Sequence, residues 1–160
     1  MSEDFIRPTF LTILCFLTFM TSVSALWNQS KNLWSPGVAA ENVTQMFESA
    51  QEKLHARPGA ADLRATDTMF KIIYDQTNAA NMHTMAVILL IFESISLYAA
   101  YLMWNLQKRG FYLYLAGIAI AFFTPLLLIG GWFGAVNAIA GVFFSCFMAI
   151  LYAFNLKHMH

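Results

Sequence analysis

Charge is what this sequence has least of. Only 11% of its 160 residues are Asp, Glu, Lys or Arg, where a soluble domain carries roughly a quarter. The shortfall is local, because all of the acids but one lie outside four long apolar stretches. Acidic and basic residues balance at nine each, so bulk electrostatics give no grounds for binding nucleic acid. Cysteine is equally scarce. Cys15 and Cys146 both fall inside apolar stretches, there is no CxxC pair, and His158 and His160 form only a short terminal pair. This spacing supports neither a disulfide framework nor a zinc site nor a membrane thiol-disulfide enzyme. Buried free thiols are expected, with no metal and no cofactor.

What is abundant is hydrophobicity, at 59% of residues, with 16% aromatic. A hydrocarbon core about 30 Å thick needs around 20 apolar residues in a helix. Four stretches qualify: Pro8 to Trp27, Thr84 to Trp104, Phe111 to Phe133 and Asn137 to Asn155. The expected fold is therefore an all-α integral membrane protein of one domain, 1–160, with four transmembrane helices in an antiparallel bundle. Pro8 suits a first helical turn, where its missing N–H costs nothing. Asn105-Leu-Gln-Lys-Arg-Gly110 is a tight polar turn between the second and third spans. The third and fourth meet near Gly130, Gly131 and Gly134, and helices joined so closely are antiparallel neighbours. Val23-Ser24-Ala25 mimics a signal cleavage site, but Glu3 and Asp4 stand where a signal peptide wants positive charge. The first span is read as retained.

Basic residues near span ends set orientation. Arg7, Lys108, Arg109 and Lys157 share one side if there are four crossings, which places both termini in the cytoplasm. Trp27, Trp34 and Trp132 then mark the outer boundary, and Trp104, Tyr112, Tyr114 and Tyr152 the inner one. The outer segment, 28–83, is not a plain linker. Ser35-Pro36 reads as a helix start, and apolar residues recur at Ala39, Val43, Met46, Phe47, Ala50 and Leu54. Arg57-Pro58-Gly59 breaks the pattern, which resumes through Leu63, Phe70, Ile73, Tyr74 and Thr77 and could run straight into the second span. Two amphipathic helices must bury those faces, on each other, on lipid or on a partner. Met46, Phe47, Leu54, Phe70 and Tyr74 are the candidate partner-facing residues.

Glu93 is the single acid inside a span, near its middle. Even low estimates put a charge there at about 2.5–3.5 kcal/mol, so an intramembrane carboxyl is a functional candidate by default. No Lys or Arg lies at comparable depth, which favours the neutral acid, a donor in search of a buried acceptor. Midpoints of the other spans fall near Thr18, Thr124-Pro125 and Ser145-Cys146, and Pro125 frees the carbonyl of Ala121. Glu93, Thr18, Thr124 and Ser145 are thus expected to form one polar layer. It serves either a proton or ion relay or simple fastening of helices, with hydroxyls bonded to their own backbones.

Small residues give a second signal. Gly141, Ser145, Ala149 and Ala153 recur every four residues, and Gly117 and Ala121 make a shorter row. Such rows let helix backbones approach in lipid, within a chain or between chains. Thr9, Thr12, Cys15, Thr18, Thr21 and Ser24 recur every third residue, a row that spirals around a helix and cannot line a pore.

Arg7-Pro-Thr-Phe-Leu-Thr-Ile-Leu-Cys-Phe-Leu-Thr-Phe19 resembles the opening of a group of small bacterial membrane proteins of uncharacterised function. The resemblance implies a multi-pass protein of the bacterial inner membrane and transfers no functional residue. The layout is also similar to tetraspanin-like and claudin-like proteins, but residues 28–83 contain no cysteine. The Arg/Asn/Glu motif of the glutathione-using four-span enzymes is not evident either.

The leading expectation is a non-enzymatic accessory or structural subunit of a membrane complex or homo-oligomer. The alternative is a small proton- or ion-coupled transporter or channel using Glu93. A lipid-acting enzyme ranks third, on His83 beside Asn81 alone. The expected partners are the lipid bilayer and other membrane subunits or further copies of the chain.

Overall fold

The computed structural model describes residues 8–56 and 64–159. Six α-helices follow in order: α1 (Thr9–Trp34), α2 (Pro36–His55), α3 (Arg64–Gln76), α4 (Ala79–Trp104), α5 (Lys108–Leu128) and α6 (Gly131–Ala153). A 3₁₀ turn at Leu156–His158 closes the described chain, and no strand occurs among the described residues. Arg7, the Arg57-Pro58-Gly59 break and Leu63 lie outside them.

α1, α4, α5 and α6 are long and apolar enough to cross a membrane. The shortest, α5, has 21 residues and extends about 31 Å at 1.5 Å per residue, the depth of a hydrocarbon core. Large apolar side chains cover its outside and that of its neighbours, including Leu127, Phe143, Phe147 and Phe154. So continuous an apolar surface would aggregate in water. Length and composition are those of a multi-pass membrane protein.

Helix ends differ from the apolar stretches, and each difference has a local cause. α1 continues past Trp27 to Trp34 because nothing in Asn28-Gln-Ser-Lys-Asn32 interrupts it; Asn32 even donates to Gln29 on the preceding turn (3.2 Å). Pro36 ends it by forcing Ser35 out of helical geometry (φ −133°, ψ 62°). Ser35 occupies the cap position of α2, but its hydroxyl makes no cap hydrogen bond. α3 does not run into α4. The chain breaks at Thr77-Asn78, where the Asn78 side chain accepts from the Asn81 N–H (2.9 Å) and starts a new helix.

The third helix stops at Leu128, short of Phe133, and the fourth begins at Gly131, ahead of Asn137. Gly130 (φ 67°, ψ −170°) and Gly131 (φ 60°) make this turn. The conformation of Gly130 is open essentially to glycine alone. Between α4 and α5 the corresponding left-handed residue is Leu106 (φ 61°). The Leu106 N–H reaches the Met103 carbonyl and the Gln107 N–H that of Leu102, a Schellman closure. A non-glycine there costs about 1–2 kcal/mol. Burial of the Leu106 side chain among Met103, Phe111 and Leu11 offsets it.

Within the fold α4 is central, with α1 along one flank and α5 along the other; α6 packs on α5 and meets α1 only along a short seam. Three apolar clusters fill the interior. The first, at the α4–α5 turn, joins Leu11, Leu14 and Cys15 of α1 to Met103, Tyr114, Met148 and Tyr152. A small one at mid-height holds Phe92, Ala121 and Val142. The third, at the α5–α6 turn, packs Ala39 of α2 and Ile73 of α3 against Met82, Met85, Ile88 and Phe133. The backbones of α4 and α5 approach most closely at Gly110, where an added Cβ would lie 2.6 Å from the Ala99 carbonyl oxygen.

Candidate functional site

Helical spacing brings polar residues of three helices onto one interior surface. Glu93 and Ser96 are three apart on α4, Thr18 and Ser22 four apart on α1, and Gly141 and Ser145 four apart on α6. Each pair therefore shares a face. With Phe92, Phe144, Met148 and Tyr114 they line a cavity of about 190 Å³ between α1, α4 and α6. Its existence follows from side-chain size. Gly141 and Ala25 face it, and a Cβ on Gly141 would meet nothing closer than Leu89 Cδ2 at 3.7 Å. The rim residues Thr21 and Phe144 are exposed, so the cavity opens sideways where α1 and α6 part.

The floor is closed. Thr18 Oγ1 and Tyr152 Oη are 2.7 Å apart and buried, and the Tyr152 ring stands edge-on to Tyr114 at 5.6 Å. Tyr114 in turn stands beside Ser145, and both line the cavity. Glu93 is half-buried, and the Ser22 hydroxyl lies beside it on the cavity wall. Ser96 differs from all of these. Its Oγ is buried with no hydrogen-bond partner, and the residue is 2% exposed. Such a group forfeits about 1–3 kcal/mol of hydration unless something occupies the adjacent space. Among the described residues no Lys, Arg or His lines the cavity.

Of the expected polar layer, Glu93, Thr18 and Ser145 meet at this cavity. Thr124 is half-buried on α5 and does not line it. Thr18 bonds across to α6, whereas Thr12, Thr21, Thr84 and Ser94 bond the carbonyls of their own helices. Ser22 and Ser96 were not singled out from the sequence, and Tyr114 and Tyr152, expected as boundary aromatics, are instead buried at this site. Ser22 stands four residues after Thr18 and Ser96 three after Glu93, so helical periodicity from the named residues would have found both.

No family model, curated protein or solved structure matches this chain.

The small-residue rows are largely used inside the chain. Gly117 lies against Ile95 and Phe92 of α4, and Ala121 is buried with Phe92 and Val142. On α6, Ser145 and Ala149 are buried, Gly141 is half-buried beside the cavity, and Ala153 is exposed. α2 and α3 also turn apolar side chains toward each other and toward the helices beneath them. Phe47 and Phe70 pack edge-to-face at 6.0 Å, Leu54 and Tyr74 are half-buried, and Met46 faces outward at 63% exposure. Burial, with the Glu48 carboxylate nearby, raises the Tyr74 phenol above its ordinary range. Asp67 on α3 accepts from Gln51 (2.9 Å) and contacts His55 Nε2 (2.8 Å) on α2. Those two hydrogen bonds, Gln51 first, hold its carboxyl below the ordinary value.

One further contact carries no sequence signal. The Gln76 side chain accepts from the Phe133 N–H at the start of α6 (3.1 Å), and its own carbonyl accepts from Asn81. Gln76 thus fastens α3 to the starts of both α4 and α6. His83 is exposed near the start of α4 with Asn81 engaged elsewhere, so no nucleophile–base pair is assembled there. Among the described residues no three His, Cys, Asp or Glu lie close enough to hold a metal ion.

Proposed function

We propose that this chain is a non-enzymatic, multi-pass protein of a bacterial inner membrane that carries a proton or small cation on Glu93. The four spans form an antiparallel bundle, α2 and α3 are amphipathic helices on the outer side, and both termini are cytoplasmic. Lys108, Arg109 and Lys157 at one end support that orientation, and the first-span resemblance supports the compartment. The observation that carries the reading is the cavity. A carboxyl whose task was only to fasten helices would be enclosed by its acceptors, whereas Glu93 has Ser22 on one side and open volume on the other.

Glu93→Gln keeps the shape and removes the ionisable group. In reconstituted vesicles the variant loses sodium- or proton-dependent flux that the parent chain supports. Equal flux in both would dispose of the carrier reading.

A second reading, an accessory subunit of a membrane complex or a homo-oligomer, draws on Met46 and Val38 of α2. Both are apolar, lie outside the four spans and stay exposed. Mass measurement after mild detergent extraction tests it, and a strictly monomeric particle under all conditions would count against it.

A further inference from the structure

The cavity is larger than a proton or a bare alkali ion on Glu93 requires. A volume of about 190 Å³ exceeds the roughly 150 Å³ that holds a benzene ring. A bare alkali ion needs oxygen ligands converging within a few ångströms. Here the hydroxyls are spread over α1, α4, α5 and α6, with Thr18 already paired to Tyr152 and Thr21 bonded to its own helix backbone. The lining is moreover only partly polar. Phe92, Phe144 and Met148 supply an apolar and aromatic wall, while Glu93 and the unpartnered Ser96 Oγ lie three residues apart on one face of α4. We infer that the cavity is a binding site for a small primary amine, held as its ammonium ion with a short apolar or aryl body.

Each feature then has an occupant. An ammonium head carries three N–H donors. One meets the Glu93 carboxylate, one the Ser96 oxygen and one the Ser22 oxygen. Charge also matches. One carboxylate and one ammonium make a site that is neutral as a whole, which the surrounding hydrocarbon tolerates far better than a lone charge of either sign. The apolar body rests against Phe92 and Phe144, whose faces favour a nearby cation. Entry is lateral, between α1 and α6, past the exposed Thr21 and Phe144. The closed Thr18–Tyr152 floor keeps the ligand from passing toward the α4–α5 turn in this conformation.

The inference rests on the carrier reading, and the test separates the two. Purified full-length chain in lipid nanodiscs is titrated with benzylamine, followed calorimetrically, with benzyl alcohol as the neutral analogue of the same size. Benzylamine is expected to bind roughly tenfold to a hundredfold more tightly than the alcohol, as a charge-assisted hydrogen bond implies. Glu93→Gln should erase that preference, and Ser96→Ala should weaken amine binding several-fold while unfolding stability is retained. Equal affinity for amine and alcohol, or an amine affinity unchanged in Glu93→Gln, overturns the inference. If the amine fails to bind while Glu93-dependent sodium or proton flux persists, the ligand class is wrong and the carrier reading survives. If binding and flux are both absent, neither stands.

Discussion

On either side of Thr18 the same two helices, α1 and α6, face each other and reach opposite outcomes. Toward the α4–α5 turn, Leu11, Leu14 and Cys15 meet Met148, Ala149 and Tyr152, and that half is closed. Toward the α5–α6 turn, Ser22 and Ala25 face Gly141 and Ser145, and a cavity opens. Polarity does not distinguish the halves, since both contain hydroxyls at the interface. Size and partnering do. The Thr18–Tyr152 pair satisfies itself and fills its space, whereas small residues opposite serines leave volume, one acid and one unpartnered hydroxyl. Interior polar groups that find each other become structure; those held apart become a site.

Substitutions can break or sharpen that contrast. The largest effect belongs to the closed half. Gly110→Val would drive side-chain carbon into the Ala99 carbonyl and lower stability by about 3 kcal/mol, measured by SDS or urea unfolding in mixed micelles. Tyr152→Phe strips the buried partner of Thr18 and should cost about 1 kcal/mol. Adding Thr18→Val should recover much of that loss, because both ends of the bond are then apolar.

The open half should respond with the reverse sign. Gly141→Ala meets only ordinary van der Waals contact and gains helix propensity, so the same unfolding assay should show an increase of about 0.5–1 kcal/mol. Ser96→Ala removes an unsatisfied buried hydroxyl and should likewise leave stability unchanged or raise it by about 1 kcal/mol. A clear loss of stability in either variant would erase the distinction between the halves.

The smallest effect lies outside the spans. Asp67 has its carboxyl value lowered on folding, so it stabilises the α2–α3 contact above its unfolded value near 3.8. That contribution is lost as pH falls through the folded value. Spin labels at Lys53 and Lys71 should report a broader distance distribution near pH 3 than at pH 6, and Asp67→Asn should show the broader one at both.

How much of this was legible in the sequence depends on what sets each feature. Span number follows from hydrocarbon thickness, and four apolar helices of suitable length are present. The turn at Gly130-Gly131 was visible as a glycine cluster, but the apolar run continues through Trp132 and Phe133 into α6. Reading that run as a single span pushed its midpoint out to Phe122, near Thr124. α5, bounded by Lys108 and Leu128, has its midpoint at Ile118, which is why Thr124 lies away from the cavity. The same error applies to α1, whose extension to Trp34 moves its midpoint from Thr18 toward Ser22. Glu93 needed no such arithmetic, because an acid in an apolar run identifies itself. The Gln76 link to Phe133 N–H could not be read at all, since 57 residues separate its ends and neither end has an unusual local sequence.

Cysteine accessibility tests the contrast between the halves most directly. In a Cys15→Ala, Cys146→Ala background, Gly141→Cys, half-buried beside the cavity, and Leu14→Cys, buried in the closed half, would each be exposed in nanodiscs to 2-aminoethyl methanethiosulfonate, itself a small primary ammonium. Labelling read by intact mass should be rapid for Gly141→Cys and nearly absent for Leu14→Cys. Equal labelling of the two, or an unreactive Gly141→Cys, would contradict an open cavity above a sealed floor.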